Sequence, residues 1–303
     1  MLSRFAIYFD EVARRGSIRR ASEHLHITAS AIDRQILQME ERLGVPLFER
    51  MPQGLRLTAA GELLVGAIRR WRRDIRNIEA QIDGLRGLRR GEVNIALVEG
   101  SSEFVIRSLQ DFRQRYPGIE YHLQIAVSDQ VINRVLGGDA DIGVAFNPPE
   151  RHDLRLERAL IYQVGAVMLP AHPLAGHDEL TLAECARHAL VGPDEGNVLH
   201  GILDVAWQRS VGESPRYTAS ANSITLIKSL VLSGVGIGFL TPIDVSAEVE
   251  AGMLRFLPLA NTQLPLSALS LISASGRSLS NAASLLLHHL NGTMMREHGP
   301  ALG

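Results

Sequence analysis

The sequence has 303 residues, of which 46% are hydrophobic and 21% are charged, and this length allows more than one hydrophobic core. No apolar run approaches the roughly 18 residues of a membrane span, and residues 1–10 lack the basic segment and apolar core of a secretory signal. The single cysteine, Cys185, cannot form an internal disulfide. These features argue against secreted and membrane-spanning classes, and we expect a cytoplasmic protein with no membrane partner.

Charge is distributed unevenly along the chain. The formal net charge is −2, yet residues 1–90 carry 17 Arg against 11 Asp and Glu, a balance of +6, whereas the rest of the chain has a balance of −8. A basic segment on an acidic body is typical of a polyanion-binding module joined to another domain, although surface charge distributed by chance would give the same balance. Lys228 is the only lysine, and we attribute this arginine bias to genome composition.

The N-terminal part of the chain predicts three helices in close succession. Apolar side chains recur every three or four positions over residues 2–15, and a glycine ends this helix. Ser17 is placed to cap a second helix over residues 18–25. After a tight turn, Thr28 is placed to cap a third helix that runs to about residue 43. Two short helices joined by a tight turn are typical of a helix-turn-helix.

A small hairpin and a long helix follow. The apolar stretches 45–50 and 55–58 flank a Pro/Gly turn and predict the two strands of a wing. Thr58 is placed to cap a helix from Ala59 to about Leu88, and an apolar stripe along this helix needs a partner. We expect a homodimer through the stripe, with packing on the chain's own C-terminal domain as the alternative. The stripe consists of Leu63, Leu64, Ala67, Ile68, Trp71, Ile75, Ile78, Ile82 and Leu85.

The C-terminal two thirds of the chain alternate between strands and helices. Strands over residues 91–98, 120–127 and 140–146 predict right-handed βαβ units and a parallel sheet. A second α/β half begins near Tyr162, and the chain returns to the first half with a strand over residues 266–273. Two crossings predict a hinged two-lobed body, as in periplasmic binding proteins. Ligands bind such sheets outside the carboxyl ends of the strands.

Several spaced segments together resemble the LysR-type transcriptional regulators. The resemblance implies an α/β protein overall, with an N-terminal all-α winged helix-turn-helix, a long linker helix and a two-lobed α/β domain that binds an effector. The segments are the run Phe5 to Ala21, the positions Ile32, Gln35, Ile36, Glu40, Leu43 and Gly44, the run Leu47-Phe48-Glu49-Arg50, and the run Leu57-Thr58-Ala59-Ala60-Gly61.

The domain boundaries follow from these patterns. We place the DNA-binding domain at residues 1–58, the linker and dimerisation helix at 59–90 and the effector-binding domain at 91–303. Within the last domain, lobe I comprises about 91–161 and 266–303, and lobe II comprises about 162–265.

The resemblance implies that the third helix enters the major groove and that the wing touches the DNA backbone. Arg34 is placed to bind guanine or a phosphate, Thr28 and the helix N-terminus suit a phosphate, and Arg50 beside the wing is a further phosphate candidate. The DNA-binding candidates are Thr28, Ala29, Ser30, Asp33, Arg34 and Arg50.

Two of these positions depart from the family pattern. Gln often stands where this chain has Ala29, and Ser usually stands where it has Asp33. A carboxylate near DNA repels phosphate but can accept a hydrogen bond from cytosine N4. Alternatively, Asp33 pairs with Arg34 or Arg19 and orients that side chain, and the sequence leaves both possibilities open.

Hydroxyl and amide side chains follow several predicted strands or precede predicted helices. The resemblance implies a small molecule between the lobes, and hydroxyls at helix N-termini favour an anion such as a carboxylate. Each Ser or Asn could instead be only a helix cap, and Phe146 could narrow the pocket or belong to the core. The effector-binding candidates are Ser101, Ser102, Ser128, Asn147, Asn222, Ser223, Phe239 and Thr241.

Motifs for catalysis or metal binding are missing from the sequence. There is no P-loop, nucleophile elbow or HExxH, and Cys185 with His188 lacks the second pair that a structural zinc needs. We expect no cofactor, no metal and no enzymatic activity. The expected partners are double-stranded DNA, a small effector and a second copy of the chain, with a homotetramer implied by the resemblance. The rival hypotheses are a solute-binding or enzymatic α/β protein and a DNA-binding protein whose cleft has no function.

Overall fold

The computed structural model describes residues 3–52, 54–85, 90–195, 198–260 and 264–297. The N-terminal part forms a three-helix head with a hairpin, followed by a long helix. In chain order these elements are α1 (Arg4–Arg15), α2 (Ile18–Leu25), α3 (Ala29–Leu43), β1 (Phe48–Met51), β2 (Gly54–Leu57) and α4 (Ala59–Leu85). The predicted end of α4, at about Leu88, lies outside the described residues.

The helix ends of the head follow the predicted capping pattern with one exception. The Ser17 hydroxyl accepts a hydrogen bond from Arg20 N, and Thr58 Oγ1 accepts one from Gly61 N at 3.0 Å. Thr28 occupies the N-cap position of α3, but its side chain makes no capping hydrogen bond. Its Oγ1 atom instead accepts a hydrogen bond from Ser30 Oγ at 3.3 Å. The predicted N-cap position of Thr28 is therefore confirmed, although its side chain does not supply the capping hydrogen bond.

The first half of α4 is part of the head. Val65 and Ile68 pack with Phe5, Phe9 and Leu47 in one buried cluster. The predicted apolar stripe therefore divides between two faces, because Ile68 turns into the head's own core. The other face leaves large apolar side chains exposed, namely Leu63, Trp71, Ile78 and Ile82.

The body begins with a βαβαβ unit and a long strand. After two crossings the chain ends in a strand and a helix that pack on the same sheet. In chain order the elements are β3 (Arg90–Leu97), α5 (Ser102–Arg115), β4 (Gly118–Ile125), α6 (Ser128–Gly137), β5 (Ile142–Phe146), β6 (Leu154–Tyr162), β7 (Gly165–Met168), α7 (Leu182–Cys185), β8 (Leu190–Pro193), α8 (Val198–Val211), β9 (Tyr217–Ala221), α9 (Ile224–Leu232), β10 (Gly238–Leu240), α10 (Ser246–Glu250), β11 (Arg255–Pro258), β12 (Ser267–Ala274) and α11 (Asn281–Glu297).

Lobe I is a five-stranded sheet in the order β4-β3-β5-β12-β6. The pairs β3–β4 and β3–β5 are parallel, as predicted, so the carboxyl ends of these three strands lie at one edge. The returning strand β12 runs antiparallel to both β5 and β6. The reason is the double crossing: β6 leaves lobe I and β12 returns to it, so the two strands run in opposite directions with Tyr162 paired to Ser267.

Lobe II has its own mixed sheet and two cores. Strand β7 pairs antiparallel with β10 and β11, β8 pairs parallel with β9, and a bridge from Leu190 to Ile237 joins the two groups. The sequence reasoning missed both β6 and β11. No helix among the described residues is long and apolar enough to cross a membrane.

Candidate DNA-binding surface and interlobe site

The N-terminal turn of α3 presents a polar surface. Thr28, Ala29, Ser30 and Arg34 are exposed, and Asp33 is half-buried. The opposite face of α3 buries Ile32 and Ile36 in the head, which fixes the orientation of the exposed face. The structure thus brings five of the six predicted DNA-binding residues together on one solvent-facing surface.

Asp33 has no ion-pair partner among the described residues. Arg19, one of its two predicted partners, pairs instead with Glu23 through Nε at 3.2 Å from Oε1. Arg34 likewise forms no ion pair with a described residue. Both Asp33 and Arg34 are therefore available to groups outside the chain.

The same face of α3 carries an apolar side chain that the sequence reasoning overlooked. Leu37 is 54% exposed and lies one helical turn beyond Asp33 and Arg34. An apolar side chain at such a position can contact the methyl group of thymine. Its signal was available in the sequence, because Leu37 stands outside the apolar stripe that buries Ile32 and Ile36.

The wing and the residue before it are held to α3 and to the end of α1 by hydrogen bonds from backbone N–H groups. Glu40 Oε1 accepts from Leu47 N at 2.7 Å, and Leu55 N donates to Gly16 O at 2.7 Å. An open groove of about 310 Å³ lies between the start of α2 and the wing, and Ser17 and Arg50 both line it. Arg50 is exposed and lines the same groove as Ser17 and Ile18 at the start of α2.

An arginine of α4 connects the head to lobe I. The Asp10 carboxylate, buried on α1, accepts hydrogen bonds from Arg69 Nε at 2.9 Å and Arg72 Nη1 at 2.6 Å. Arg69 Nη1 also lies 3.4 Å from Oδ2 of Asp139, in the turn after α6. Burial opposes charge on Arg69, but Asp10 and Asp139 raise its pKa, so this guanidinium stays protonated.

In lobe I, the serines after β3 differ in availability. Ser101 is fully buried, and its hydroxyl donates to Val98 O at 2.8 Å. Ser102 begins α5, and its buried Oγ atom has no hydrogen-bond partner among the described residues. Of these two serines, Ser102 therefore has the hydroxyl that makes no hydrogen bond to a described residue.

Two further predicted effector-binding residues, Ser128 and Asn147, lie at the end of β5. Ser128 Oγ accepts from Phe146 N at 3.1 Å, which leaves its own proton free to be donated. Asn147 has a left-handed backbone with φ of 47°, which Asn tolerates better than most residues. Its Oδ1 atom accepts from Ala268 N at 2.8 Å, so Asn147 ties β5 to the returning strand β12.

The N-terminus of α9 already holds a carboxylate from lobe I. Glu99 Oε1 accepts from Ser223 Oγ at 2.7 Å and Thr225 N at 3.1 Å, and Oε2 accepts from Ile224 N at 3.0 Å. Burial opposes ionisation, yet the hydrogen bonds lower the pKa of Glu99. Ser223 therefore binds a side chain of the protein itself, while Asn222 beside it is exposed. The predicted anion at this helix stays a prediction.

Two other candidates lie in the interior of lobe II. Phe239 is fully buried against Trp207, with ring centroids 5.3 Å apart, and this placement favours a role in the core. Thr241 is also buried, and both its N–H and its hydroxyl donate to Oδ2 of Asp244, at 2.8 and 2.7 Å. A Cβ at position 100 would lie 2.0 Å from Asp244 Oδ1, so Gly100 allows this close approach of the two lobes.

The only lysine of the chain lies at the same junction. Lys228 Nζ, one turn along α9 from Ile224, donates to Glu103 Oε1 of lobe I at 2.8 Å and lies 2.7 Å from Glu248 Oε1 of lobe II. Burial opposes its charge, but the two carboxylates raise the pKa of Lys228. Glu99 and Lys228 are the residues that sequence reasoning missed, although the uniqueness of the lysine was a visible signal.

The thiol and the histidines show no metal chemistry within the described residues. No group of three or more His, Cys, Asp or Glu side chains is placed to hold a metal ion there. Burial in lobe II, with Glu184 nearby, raises the pKa of Cys185 to about 12. A buried thiol of this kind is a poor nucleophile at neutral pH.

Comparison with known families agrees with this arrangement. The family model described as bacterial regulatory helix-turn-helix protein, lysR family, matches residues 4–62, and the LysR substrate binding domain matches residues 86–294. The chain belongs to the LysR family. This LysR-type protein is a transcriptional regulator with a DNA-binding head and an effector-binding domain, as the resemblance implied.

Related regulators align with most of this LysR-type chain. The RuBisCO operon transcriptional regulator of Allochromatium vinosum is 27% identical over 242 residues, which are 80% of each chain. The HTH-type transcriptional regulator CbbR of Xanthobacter flavus is 30% identical over 248 residues, which are 81% of this chain and 74% of CbbR.

Solved structures share this fold, in whole or in part, at low sequence identity. A full-length OxyR variant from Pseudomonas aeruginosa has a TM-score of 0.66 at 16% identity, and the match covers 97% of this chain and 95% of the OxyR chain. Full-length CbnR complexed with its target DNA has a TM-score of 0.64 at 20% identity, covering 97% and 100%. The effector-binding domain of QuiR in complex with shikimate has a TM-score of 0.54 at 15% identity, covering 69% and 99%. These likenesses show the fold.

Proposed function

We propose that this LysR-type regulator couples the binding of a small molecule between its lobes to the binding of DNA by its head, and that Arg69 transmits this coupling. One guanidinium contacts Asp10 in the head and Asp139 in lobe I, and this observation carries the proposal. A rearrangement of lobe I that moves Asp139 changes the contacts of Arg69 and hence the seating of α1 on α4. Effector binding then shifts the population of head arrangements, as reciprocal coupling between sites requires.

The proposed DNA contacts follow from exposure and charge. We assign Arg34 and Asp33 to base edges in the major groove and Arg50 to a backbone phosphate beside the groove at the start of α2. The exposed Thr28, Ala29 and Ser30 lie at the N-terminus of α3, which suits close approach to the duplex. The target-DNA complex of CbnR, which has the same fold, supports this assignment.

The proposed effector site is the edge where the strands of lobe I face lobe II. Ser128 has a hydroxyl proton to donate there, the buried Ser102 Oγ has no hydrogen-bond partner among the described residues, and Asn222 is exposed on the facing lobe. The other candidates are assigned a structural role next to the site, because their polar groups bond within the protein or their side chains are buried. They are Ser101, Asn147, Ser223, Phe239 and Thr241. The shikimate complex of the QuiR domain supports a small molecule as the class of ligand.

Two separate apolar surfaces support a homotetramer. The first is the exposed face of α4 with Leu63, Trp71, Ile78 and Ile82, which we assign to a homodimer. The second lies on lobe I, where helix α5, the edge strand β4 and the turn after β4 expose Ile106, Leu123, Ile125 and Val127. Two unlike self-association surfaces on one chain produce a dimer of dimers. We place this regulator in the cytoplasm, where it acts by binding and without catalysis.

Genome-wide mapping of bound DNA tests the proposed function. We expect discrete sites with paired half-sites for the wild type and loss of these sites for Arg34→Ala. Arg69→Ala should still bind the mapped operators in an electrophoretic shift assay, while transcription from these promoters no longer changes with growth condition. Absence of discrete sites, or an Arg69→Ala variant that responds like the wild type, would overturn the proposal.

A further inference from the structure

Helix α9 is held to lobe I at two points on one face. Its first turn binds Glu99, and Lys228, four residues after Ile224, binds Glu103. Glu99 and Glu103 are themselves four residues apart, in the turn before α5 and in the first turn of α5. A pair of acidic side chains on lobe I therefore meets the helix N-terminus and the lysine on lobe II, and each contact crosses the cleft between the lobes.

The contacts around Glu99 reproduce those that a bound carboxylate would make. The donors are one hydroxyl and two backbone N–H groups in the first turn of a nine-residue helix, all within 3.1 Å of the two carboxylate oxygens. Helix N-termini bind anions through such donors and through the helix dipole. The position at which α9 could bind an acidic ligand is therefore already filled by Glu99.

The neighbouring packing keeps Glu99 in this position. Gly100 lies against Asp244 of lobe II, where any larger side chain would collide. Ile243 of lobe II is buried in the core of lobe I, and Arg107 Nη2 donates to Ser246 Oγ at 2.8 Å. The turn that carries Glu99 and the helix α5 that follows it are thus both packed against lobe II.

The charges at this edge of the sheets also disfavour an anion. Carboxylates follow the carboxyl ends of strands in both lobes, whereas Lys228 is already neutralised by its partners. An incoming anion meets like charge here, which raises the free energy of binding. The acidic residues that follow these strands, in a loop or in the first turn of the next helix, are Glu99, Glu103, Asp129, Asp194 and Glu195.

We propose that Glu99 is a specificity-determining residue of the interlobe cleft: its carboxylate fills the anion position at the N-terminus of α9 and prevents an acidic effector from binding there. This inference rests on the proposed function only in taking the cleft as the effector site. It narrows the earlier expectation of an anionic ligand, because the hydroxyls of Ser102 and Ser128 remain for an effector whose polar groups are uncharged. The hydrogen bonds of Glu99 hold the two lobes together at the N-terminus of α9 without a ligand.

Chemical rescue with acetate tests the proposal in the full chain. Glu99→Ala opens a carboxylate-sized space, and we expect its thermal midpoint to fall by about 2–4 °C. Sodium acetate at tens of millimolar should then raise the midpoint of Glu99→Ala beyond the effect of sodium chloride at equal ionic strength, and it should not do so for the wild type. Glu120→Ala, an exposed glutamate on β4, is the matched control and should show neither the loss nor the rescue.

A second variant covers the possibility that Glu99→Ala does not fold. Glu99→Gln keeps the volume of the side chain but removes its charge, so it should be less stable than the wild type and should not respond to acetate. Equal acetate responses in the wild type and Glu99→Ala, no response in a folded Glu99→Ala, or a Glu99→Gln variant as stable as the wild type would overturn the proposal. These measurements use neither DNA nor effector, so their outcome is independent of whether the regulator couples effector binding to DNA binding.

Discussion

Asp10 on α1 and Arg69 on α4 form a buried ion pair, with Oδ1 of the aspartate 2.9 Å from Nε of the arginine. The same arginine reaches Asp139 of lobe I at 3.4 Å. The Asp10 carboxylate is 3% exposed, whereas that of Asp139 is 40% exposed. Solvent screens the contact with Asp139 much more than the contact with Asp10. Arg69 is therefore held strongly to the head and only weakly to lobe I.

This difference predicts unequal costs of removing the two aspartates. Asp10→Ala leaves two arginines without their buried partner and should lower the free energy of unfolding by about 1.5–3 kcal/mol. Asp139→Ala should cost only about 0.2–1 kcal/mol, as for an exposed pair. Urea denaturation measures both free energies of unfolding. Equal losses would contradict a strong Arg69–Asp10 pair and a weak Arg69–Asp139 pair.

Asp33 should determine which operator is chosen more than how tightly DNA is held. Replacing Asp33 by Ser removes a carboxylate that can accept from cytosine N4 and restores the side chain that is usual in the family. We expect affinities across a panel of operator variants to change in rank, by about 1–3 kcal/mol at one base pair. A uniform shift of every operator by the same factor would instead indicate simple repulsion of phosphates.

Arg50 should act on every DNA sequence alike. If its guanidinium binds a phosphate beside the start of α2, Arg50→Ala weakens binding to specific and nonspecific DNA by similar factors. The slope of log affinity against log salt concentration should fall by about 1. Fluorescence anisotropy at several salt concentrations provides this slope, with Arg113→Ala, an exposed arginine on α5 of lobe I, as the control.

The two apolar surfaces should govern different steps of assembly. Trp71 is 65% exposed on α4 and Ile125 is 62% exposed on β4, and a carboxylate in a buried interface has a high desolvation cost. Trp71→Glu should therefore disrupt the dimer, while Ile125→Glu should stop assembly at the dimer. Light scattering after size exclusion distinguishes these masses, and an unchanged mass for Trp71→Glu would contradict the role of α4.

Glu99 should make stability depend on pH in a definite direction. Its pKa is lowered in the folded state, although burial opposes this, because Ser223, Thr225 and Ile224 donate to the ionised carboxylate. A carboxyl group with a lowered pKa stabilises the fold at neutral pH, and this contribution is lost as the pH falls through the lowered pKa. The stability difference between wild type and Glu99→Gln should therefore shrink on acidification, and a difference that grows would refute the assigned hydrogen bonds.

Local patterns in the sequence predicted most helices and many strands, because apolar periodicity and capping residues act within a few positions. The strands β6 and β11 were missed, since the alternation of apolar and charged side chains at the start of β6 breaks at Glu157 and Arg158, and β11 is four residues that end in proline. The antiparallel return of β12 depends on a crossing between distant segments. Glu99 was overlooked for the same reason: its partners lie more than 120 residues away, and only the fold brings them together.

The arginine-rich composition has a practical consequence at the lobe junction. Lys228 is the only side-chain amine of the protein, and its ammonium is enclosed by Glu103 and Glu248 while the lobes are together. An acylating reagent reacts only with the neutral, accessible amine, so modification of this side chain should be slow in the closed form. Lobe opening could therefore be followed by the rate of acylation at one natural position, without the introduction of any label.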